Sequence, residues 1–383
     1  MSNAGSKCQI FNTIERIRAA SYCNIGFVGG SLTAPAGVGD AAVTSWRRLF
    51  VRHIYERYHP IYHCQPSEVM GAIGAIESYG AVFTLARNVL PNLPVLVFVE
   101  FCVNDRSCPD KALVRKGVEG IIRQLRKCNT HPDVVLLGAS DRPDRDQTGV
   151  APVDHTLHRE IAEYYGLPFI DVHAHILETL KARGQTWNDV SIAFETKDPY
   201  HLNDYGNYLW FDALRVWFDE QWRRYDLNPA AKPSAEFPKP LFSDEFEYTS
   251  LVDATRPNKK LIQQGTWAKK TDGCVPWYFD NILVGRPGDK LTFTFTGTAV
   301  GMACLVYCNG LKIEAKIDGK EVAGPYTNFV IEFGKFYMLE HGMENKEHVL
   351  ELEVGQPMKK QNKLEDPTAQ IGYFLVAQGP QKP

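Results

Sequence analysis

The hydrophobic period of this chain changes once, and that change constrains the fold more than any other feature. Up to about residue 225, short apolar runs alternate with amphipathic stretches of helical period. Past residue 245 the period is two, and no helix of convincing length can be drawn. The first pattern predicts right-handed βαβ units and a parallel sheet covered on both faces. The second predicts an all-β sandwich of jelly-roll type. Between them "DLNPAAKPSAEFPKP", 226–240, carries four prolines and few large apolar residues, which reads as a linker. The expected division is therefore 1–225, an α/β domain; 226–240, a linker; and 241–383, a β-sandwich.

In the first part the expected strands are 24–29, 61–65, 94–101, 133–138 and 168–172. The expected helices are 42–58, 78–89, 111–128, 154–165 and 204–224. In 111–128, Leu113, Val114, Val118, Ile121, Ile122 and Leu125 recur at helical spacing, and Asp110 stands where a cap belongs. In the second part "KLTFTFTG" alternates Leu291, Phe293 and Phe295 with polar residues, and "VLELEVG" does the same with Leu350, Leu352 and Val354. Asp318-Gly319 between alternating runs is a hairpin signal.

The 383 residues carry a net charge of -3 and are 44% hydrophobic and 23% charged. That balance gives no basic footprint for nucleic acid or an anionic membrane surface. No apolar run reaches the length of a membrane span. Nine cysteines form no CxxC pair, which speaks against a zinc ribbon or a thioredoxin-like motif. Cys23, Cys64 and Cys102 sit in or beside apolar runs and read as small core residues. The cysteine usage and the lack of a signal pattern in "MSNAGSKCQIF" point to a reducing, cytoplasmic compartment. A secreted or periplasmic location stays open should a signal peptide have been removed. Oligomeric state is not legible.

Four short stretches carry chemistry. In "CNIGFVGGSLT" a buried-looking strand ends in Gly29-Gly30-Ser31, placing a serine at the carboxyl edge of a sheet, where open α/β folds bind ligands. In "VMGAIGAIESYG", Gly71 and Gly74 allow a backbone N–H to be presented without side-chain hindrance; an ordinary βα loop fits as well. "VFVEFCVND" ends an apolar strand in Asn104-Asp105, where an amide could donate to an oxyanion or the pair could only start the next turn. In "KDPYHLND", Asp198 and His201 stand three apart before a helix, so the carboxylate can fold back onto the imidazole; a solvated loop fits equally.

In this order, "GGSLT", "GAIGAIES", "FCVND" and "DPYH" resemble the conserved blocks of the SGNH (GDSL-type) esterase/hydrolase family, over residues 24 to about 222. The resemblance implies a three-layer αβα, flavodoxin-like domain with a parallel five-stranded sheet. It also implies acyl transfer through a covalent intermediate, with Ser31 as nucleophile, His201 as base and Asp198 orienting it. The oxyanion hole would comprise the backbone N–H of Ser31, that of Gly74 or Ala75, and the Asn104 side chain. No cofactor or metal is called for. The family's usual Asp before the nucleophile is Gly30 here. Thr33, where an ordinary α/β-hydrolase elbow wants glycine, separates the chain from that group.

A jelly-roll beside such a domain resembles carbohydrate esterases that remove acetyl groups. The expected substrate is thus an acetylated carbohydrate or another small ester. Two alternatives stand beside this: a carbohydrate O-acyltransferase using the same triad, and a non-catalytic glycan-binding protein. Trp267, Trp277 and Tyr278 could stack on sugar rings, although packing is the commoner use of such residues. "DVHAH" (Asp171, His173, His175) looks ligand-like but lacks a third site at metal spacing. "HTLH" (His155, His158) reads as a helix surface, and Cys102 as packed in its strand.

Overall fold

The computed structural model describes residues 7–34, 36–139, 155–192, 198, 200–229, 237–256, 259–271, 278–357 and 367–379; side chains at 306–310 and 326–333 are excluded. The chain forms two compact units, Met1–Ala81 with Leu85–Phe242, and Val82–Thr84 with Ser243–Pro383.

The first unit holds five strands, β1 (Tyr22–Gly29), β2 (Gln65–Met70), β3 (Leu96–Glu100), β4 (Asp133–Gly138) and β5 (Phe169–Asp171), in the order β2-β1-β3-β4-β5. All neighbours run parallel. This is the flavodoxin-like order, whose direction of winding reverses at β1. The crevice outside the carboxyl ends of β1 and β3 is where such a sheet opens to a ligand. Its helices are α1 (Phe11–Arg18), α2 (Trp46–Tyr62), α3 (Ser78–Ala81), α4 (Leu85–Asn88), α5 (Cys102–Arg106), α6 (Lys111–Arg126), α7 (Thr156–Tyr164), α8 (Val172–Arg183) and α9 (Asp204–Leu227).

β3 and β4 are buried along their whole length, as central strands covered on both faces must be. On one side of the sheet Phe27 and Phe98 stack at 5.8 Å, and Trp46 and Trp210 at 5.3 Å, joining β1 and β3 to α2 and α9. Each such ring, fully removed from water, contributes about 2–3 kcal/mol. Asp110 caps α6 as the sequence suggests, accepting from Leu113 N–H at 3.0 Å.

The second strand is not at 61–65. Helix α2 continues to Tyr62 with Pro60 inside it, and the strand runs over 65–70. β2 is a sheet edge, so its residues are mostly partly exposed and its hydrophobic signal is weak. The helix expected over 78–89 is two short pieces. α1 and α8 went unread: α1 lacks a side-chain cap, and in α8 the apolar and polar residues do not segregate cleanly. Asp226 and Leu227, placed in the linker by composition, continue α9. Residues 237–242 pack on the first unit, where the Phe242 N–H donates to Glu119 Oε2 at 2.9 Å and Arg123 Nη1 donates to Pro238 O at 3.1 Å.

The second unit is antiparallel, with β6 (Thr249–Asp253), β7 (Leu261–Gln264), β8 (Ala268–Lys270), β9 (Ile282–Gly285), β10 (Lys290–Gly297), β11 (Ala299–Ile317), β12 (Lys320–Val322), β13 (Tyr326–Glu340), β14 (Lys346–Val354) and β15 (Ala369–Ala377). The 19-residue β11 belongs to two sheets. Its first part pairs with β13 and β15, its last part with β12 and β14. The alternating residues meet across the ladder: Leu291 opposes Leu352, and Phe293 opposes Leu350. All four are buried in one core with Phe374. Asp318 and Gly319 both have positive φ, 51° and 77°, and close the β11–β12 hairpin. Among the described residues no helix is long and apolar enough to cross a membrane.

Candidate active site

Ser31 is the second residue past β1. The chain turns sharply there: Thr33 and Ala34 N–H both donate to Gly30 O, at 3.1 and 2.8 Å. The turn is held from behind. Thr33 Oγ1 donates to Glu100 Oε2 at 3.1 Å, and Trp46 Nε1 donates to Leu32 O at 3.1 Å. A β-carbon at Gly29 would stand 2.3 Å from Thr33 Oγ1, so the turn can close only on glycine.

His201 arrives from the other end of the domain. A bridge between Ser191 and Leu202, with Ile192 N–H donating to His201 O at 3.0 Å, sets the height of this segment. Asn203 then caps α9, accepting from Gly206 N–H at 2.9 Å. Gly37, at φ +89°, lets the loop after Ser31 press against this segment, its would-be β-carbon 3.0 Å from His201 Cβ. The result joins residues 170 positions apart: Ser31 Oγ lies 2.7 Å from His201 Nε2. His201 Nδ1 lies 2.6 Å from Asp198 Oδ2. With the Nδ1 proton donated to Asp198, Nε2 is left to accept from the serine hydroxyl. Asp198 Oδ1 also accepts from Tyr200 N–H at 2.9 Å and His201 N–H at 3.2 Å. Partial burial pulls the Asp198 carboxyl upward, but the bonds to His201 and to these amides outweigh it and hold the group below its ordinary value.

The loop after β2 is tied to β1 at its start, with Gly71 N–H donating to Phe27 O (2.9 Å) and Ile73 N–H to Gly29 O (3.0 Å). Gly74 and Ala75 follow, and Ala75 has φ +60°, in the left-handed region that L-residues avoid. Asn104 lies in α5, just past β3. Its carboxamide sits over Gly30, where a β-carbon would meet Oδ1 at 2.0 Å and Cγ at 2.6 Å. That explains the glycine before Ser31: a side chain there would occupy the space of the Asn104 amide. Ser31, the Gly74–Ala75 pair and Asn104 therefore come from the carboxyl ends of β1, β2 and β3, the three neighbours at the reversal point of the sheet.

Residues 27–209 match the profile of the GDSL-like lipase/acylhydrolase family. The matched segment, a little under half of the chain, is GDSL-like. It is the domain of a carboxylic ester hydrolase, and its sheet order and serine–histidine–aspartate geometry are described above. No curated protein matches the chain. Among solved structures, a two-domain esterase active on acetylated mannans, determined alone and with mannopentaose, aligns over 98% of this chain and 96% of its own at 19% identity, with a TM-score of 0.79. An acetyl xylan esterase, AlAXEase, aligns over 51% of this chain and 98% of its own at 21% identity and TM-score 0.38. The first likeness shows that the two-unit fold is shared along the chain.

Other residues singled out in the sequence of this GDSL-like domain have different surroundings. Asp171 caps α8, accepting from Ala174 N–H at 2.9 Å, and Arg159 Nη2 donates to it at 3.1 Å. Burial would raise the Asp171 carboxyl, but His155 and the Ala174 amide hold it down to about 2. His175 Nε2 faces Asp212 Oδ2 at 3.2 Å, and His173 packs near Trp187. His155 and His158 are not a helix surface. His155 Nε2 lies 2.9 Å from Ala139 O, and His158 is buried against Asp105. The helical spacing was right, but α7 turns this face toward β4 and α5. Cys102 is buried, its thiol donating to Leu137 O at 3.5 Å. In the second unit Tyr278 is buried, Trp267 Nε1 donates to Lys290 O at 2.9 Å, and Trp277 lies outside the described residues.

Glu100 was not singled out in the sequence. It is the last residue of β3, fully buried, with Oε1 lacking a hydrogen-bond partner. Burial pushes its carboxyl up to about 7, against the opposing pull of the Thr33 hydroxyl. An acidic residue ending an otherwise all-apolar strand was the available signal.

Proposed function

We propose that this chain is a serine esterase that removes O-acetyl groups from a carbohydrate. The observation that carries the reading is the hydrogen-bonded series Ser31 Oγ, His201 and Asp198, at 2.7 and 2.6 Å. His201 Nε2 takes the Ser31 proton as Oγ attacks the ester carbonyl carbon. Asp198 keeps the Nδ1 proton in place and stabilises the imidazolium that forms. The tetrahedral oxyanion is received by the Ser31 N–H, a backbone N–H of the Gly74–Ala75 pair and the Asn104 side-chain amide. Collapse expels the sugar hydroxyl, which leaves with the proton from His201. Water, deprotonated by His201, then attacks the acetyl-Ser31 ester and releases acetate.

The carbohydrate part of the reading is supported by the two-domain esterase active on acetylated mannans, which matches this chain along nearly its full length. The loops following Ser31 and Asn104, "TAPAGVGDAAVT" and "DRSCPDKA", are short of bulky aliphatic residues and suit a small acyl group.

The test combines a fluorophosphonate probe with an ester panel. The probe should label Ser31 and no cysteine, Ser31→Ala should abolish hydrolysis while leaving thermal unfolding unchanged, and acetylated oligosaccharides should release acetate. Labelling elsewhere, or near-normal turnover by Ser31→Ala, would remove the nucleophile. Release of the leaving alcohol without acetate, with the acetyl group recovered on an added sugar acceptor, would move the assignment from hydrolysis to acyl transfer.

A further inference from the structure

The two elements that would receive the oxyanion come from different strands, and neither is rigid by itself. α5, which carries Asn104, is five residues long. The loop carrying Gly74 and Ala75 holds an alanine at φ +60°, a conformation that persists only when its surroundings impose it. One buried side chain joins them. Asp105, next to Asn104, accepts from the Ser78 N–H at 2.8 Å through Oδ1, at the far end of that loop. Through Oδ2 it faces His158 Nε2 of α7 at 3.0 Å. The side chains of His158 and Asp105 are 6% and 2% exposed, so no water competes for the contact. Burial alone would push the His158 imidazole down, but Cys102 and Asp105 outweigh it and hold it well above its ordinary value. A charged imidazolium is the partner a buried carboxylate needs.

We propose that the Asp105–His158 pair is a positioning device for the oxyanion hole, locking the Gly74–Ala75 loop and the Asn104 turn in one relative geometry. The loop is then held at both ends, by β1 through Gly71 and Ile73 and by Asp105 through Ser78. Gly117 of α6 adds a third constraint, since a β-carbon there would stand 2.5 Å from Tyr79 N. Neither Asp105 nor His158 touches substrate. Loosening them acts on the developing oxyanion and leaves ground-state binding largely alone.

This inference rests on the esterase reading, and the experiment separates the two. Kinetics on p-nitrophenyl acetate are measured for wild type, Asp105→Asn, His158→Gln and Ser78→Pro, each normalised to sites titrated with fluorophosphonate. Asp105→Asn breaks the pairing with His158. Ser78→Pro deletes the donated N–H at a first helical position where proline is tolerated and leaves the pair in place; it also removes the long Ser78 Oγ to Val114 O contact at 3.5 Å, which Ser78→Ala removes alone and so controls for. Asp105→Asn and Ser78→Pro should each lower kcat at least about tenfold with KM within about twofold, a fraction of what a lost oxyanion donor costs. His158→Gln, which keeps a donor toward Asp105, should lose less than Asp105→Asn. An unchanged kcat per titrated site in Ser78→Pro, or a loss carried by KM, overturns the proposal. Should Asp105→Asn not fold, Ser78→Pro decides alone. A wild type inert toward every ester overturns the esterase reading instead.

Discussion

Gly30 and Asn104 are in contact so close that a β-carbon on residue 30 would stand 2.0 Å from Asn104 Oδ1. Real β-carbons do not tolerate such a distance, so either the Asn104 amide moves or the turn before Ser31 opens. Gly30→Ala should therefore lower kcat on p-nitrophenyl acetate by about 10²-fold, the scale of one displaced oxyanion donor. Gly30→Asp, which installs the residue more usual in the family, should do at least as much. Steady-state kinetics with a parallel melting curve check this. Wild-type kcat in Gly30→Asp would show that Asn104 has room to yield.

Ala75 offers a second test, because its φ of +60° is costly for any residue with a β-carbon. Ala75→Gly relieves that strain while loosening the unfolded chain, two effects of about 1 kcal/mol that oppose each other. Activity and melting temperature should stay close to wild type. Ala75→Val, β-branched at positive φ, should lose both stability and turnover. Equal tolerance of valine would mean that the loop adopts another conformation in solution.

Glu100 sets a pH dependence whose sign can be worked out. Its folded value, about 7, lies above the ordinary carboxylate value because burial disfavours the charge. Between the two values the folded state holds the proton and the unfolded state does not. Stability from this group is thus fullest below about pH 4, falls as pH rises toward 7, and stays low above it. Asp133, also buried and raised to about 7 despite bonds from Thr13, adds to the same trend. Glu100→Gln removes the Glu100 contribution and keeps an acceptor for Thr33. It should stabilise the protein at pH 8 by on the order of 2 kcal/mol and change little at pH 4. Denaturant titrations at both pH values measure it, and equal effects at the two would contradict the assignment.

The acyl side of the substrate makes a further prediction. A long acyl chain gains about 0.8 kcal/mol per buried methylene only where an apolar wall receives it. The loops that follow Ser31 and Asn104 are poor in bulky aliphatic residues. Accordingly, kcat/KM should fall along the p-nitrophenyl series from acetyl to octanoyl. A rise would reveal an acyl groove and turn attention to lipid esters.

What could be read along the chain was what local sequence dictates. Central strands such as Asp133–Gly138 announce themselves because both faces are buried and every residue after Asp133 is apolar or small. The β11–β12 hairpin does so because Asp318-Gly319 can adopt positive φ at two successive residues. Ser31, Asn104, Asp198 and His201 stood out because each lies in a short block whose residues have a recognisable chemistry at fixed spacing. The edge strand β2 escaped, since a strand with one neighbour and partly exposed residues has no strong pattern to show.

Tertiary structure decided the rest, because it depends on approach between segments whose separation along the chain carries no signal. Only folding brings Ser31 Oγ to His201 Nε2 across 170 residues. The reason for Gly30 lies in the position of Asn104, on another strand's end. His158, one of two histidines at surface-like spacing, became a buried partner of Asp105 because α7 packs that face inward. A sequence states which faces can be buried; the packing of the sheet determines what each of them meets.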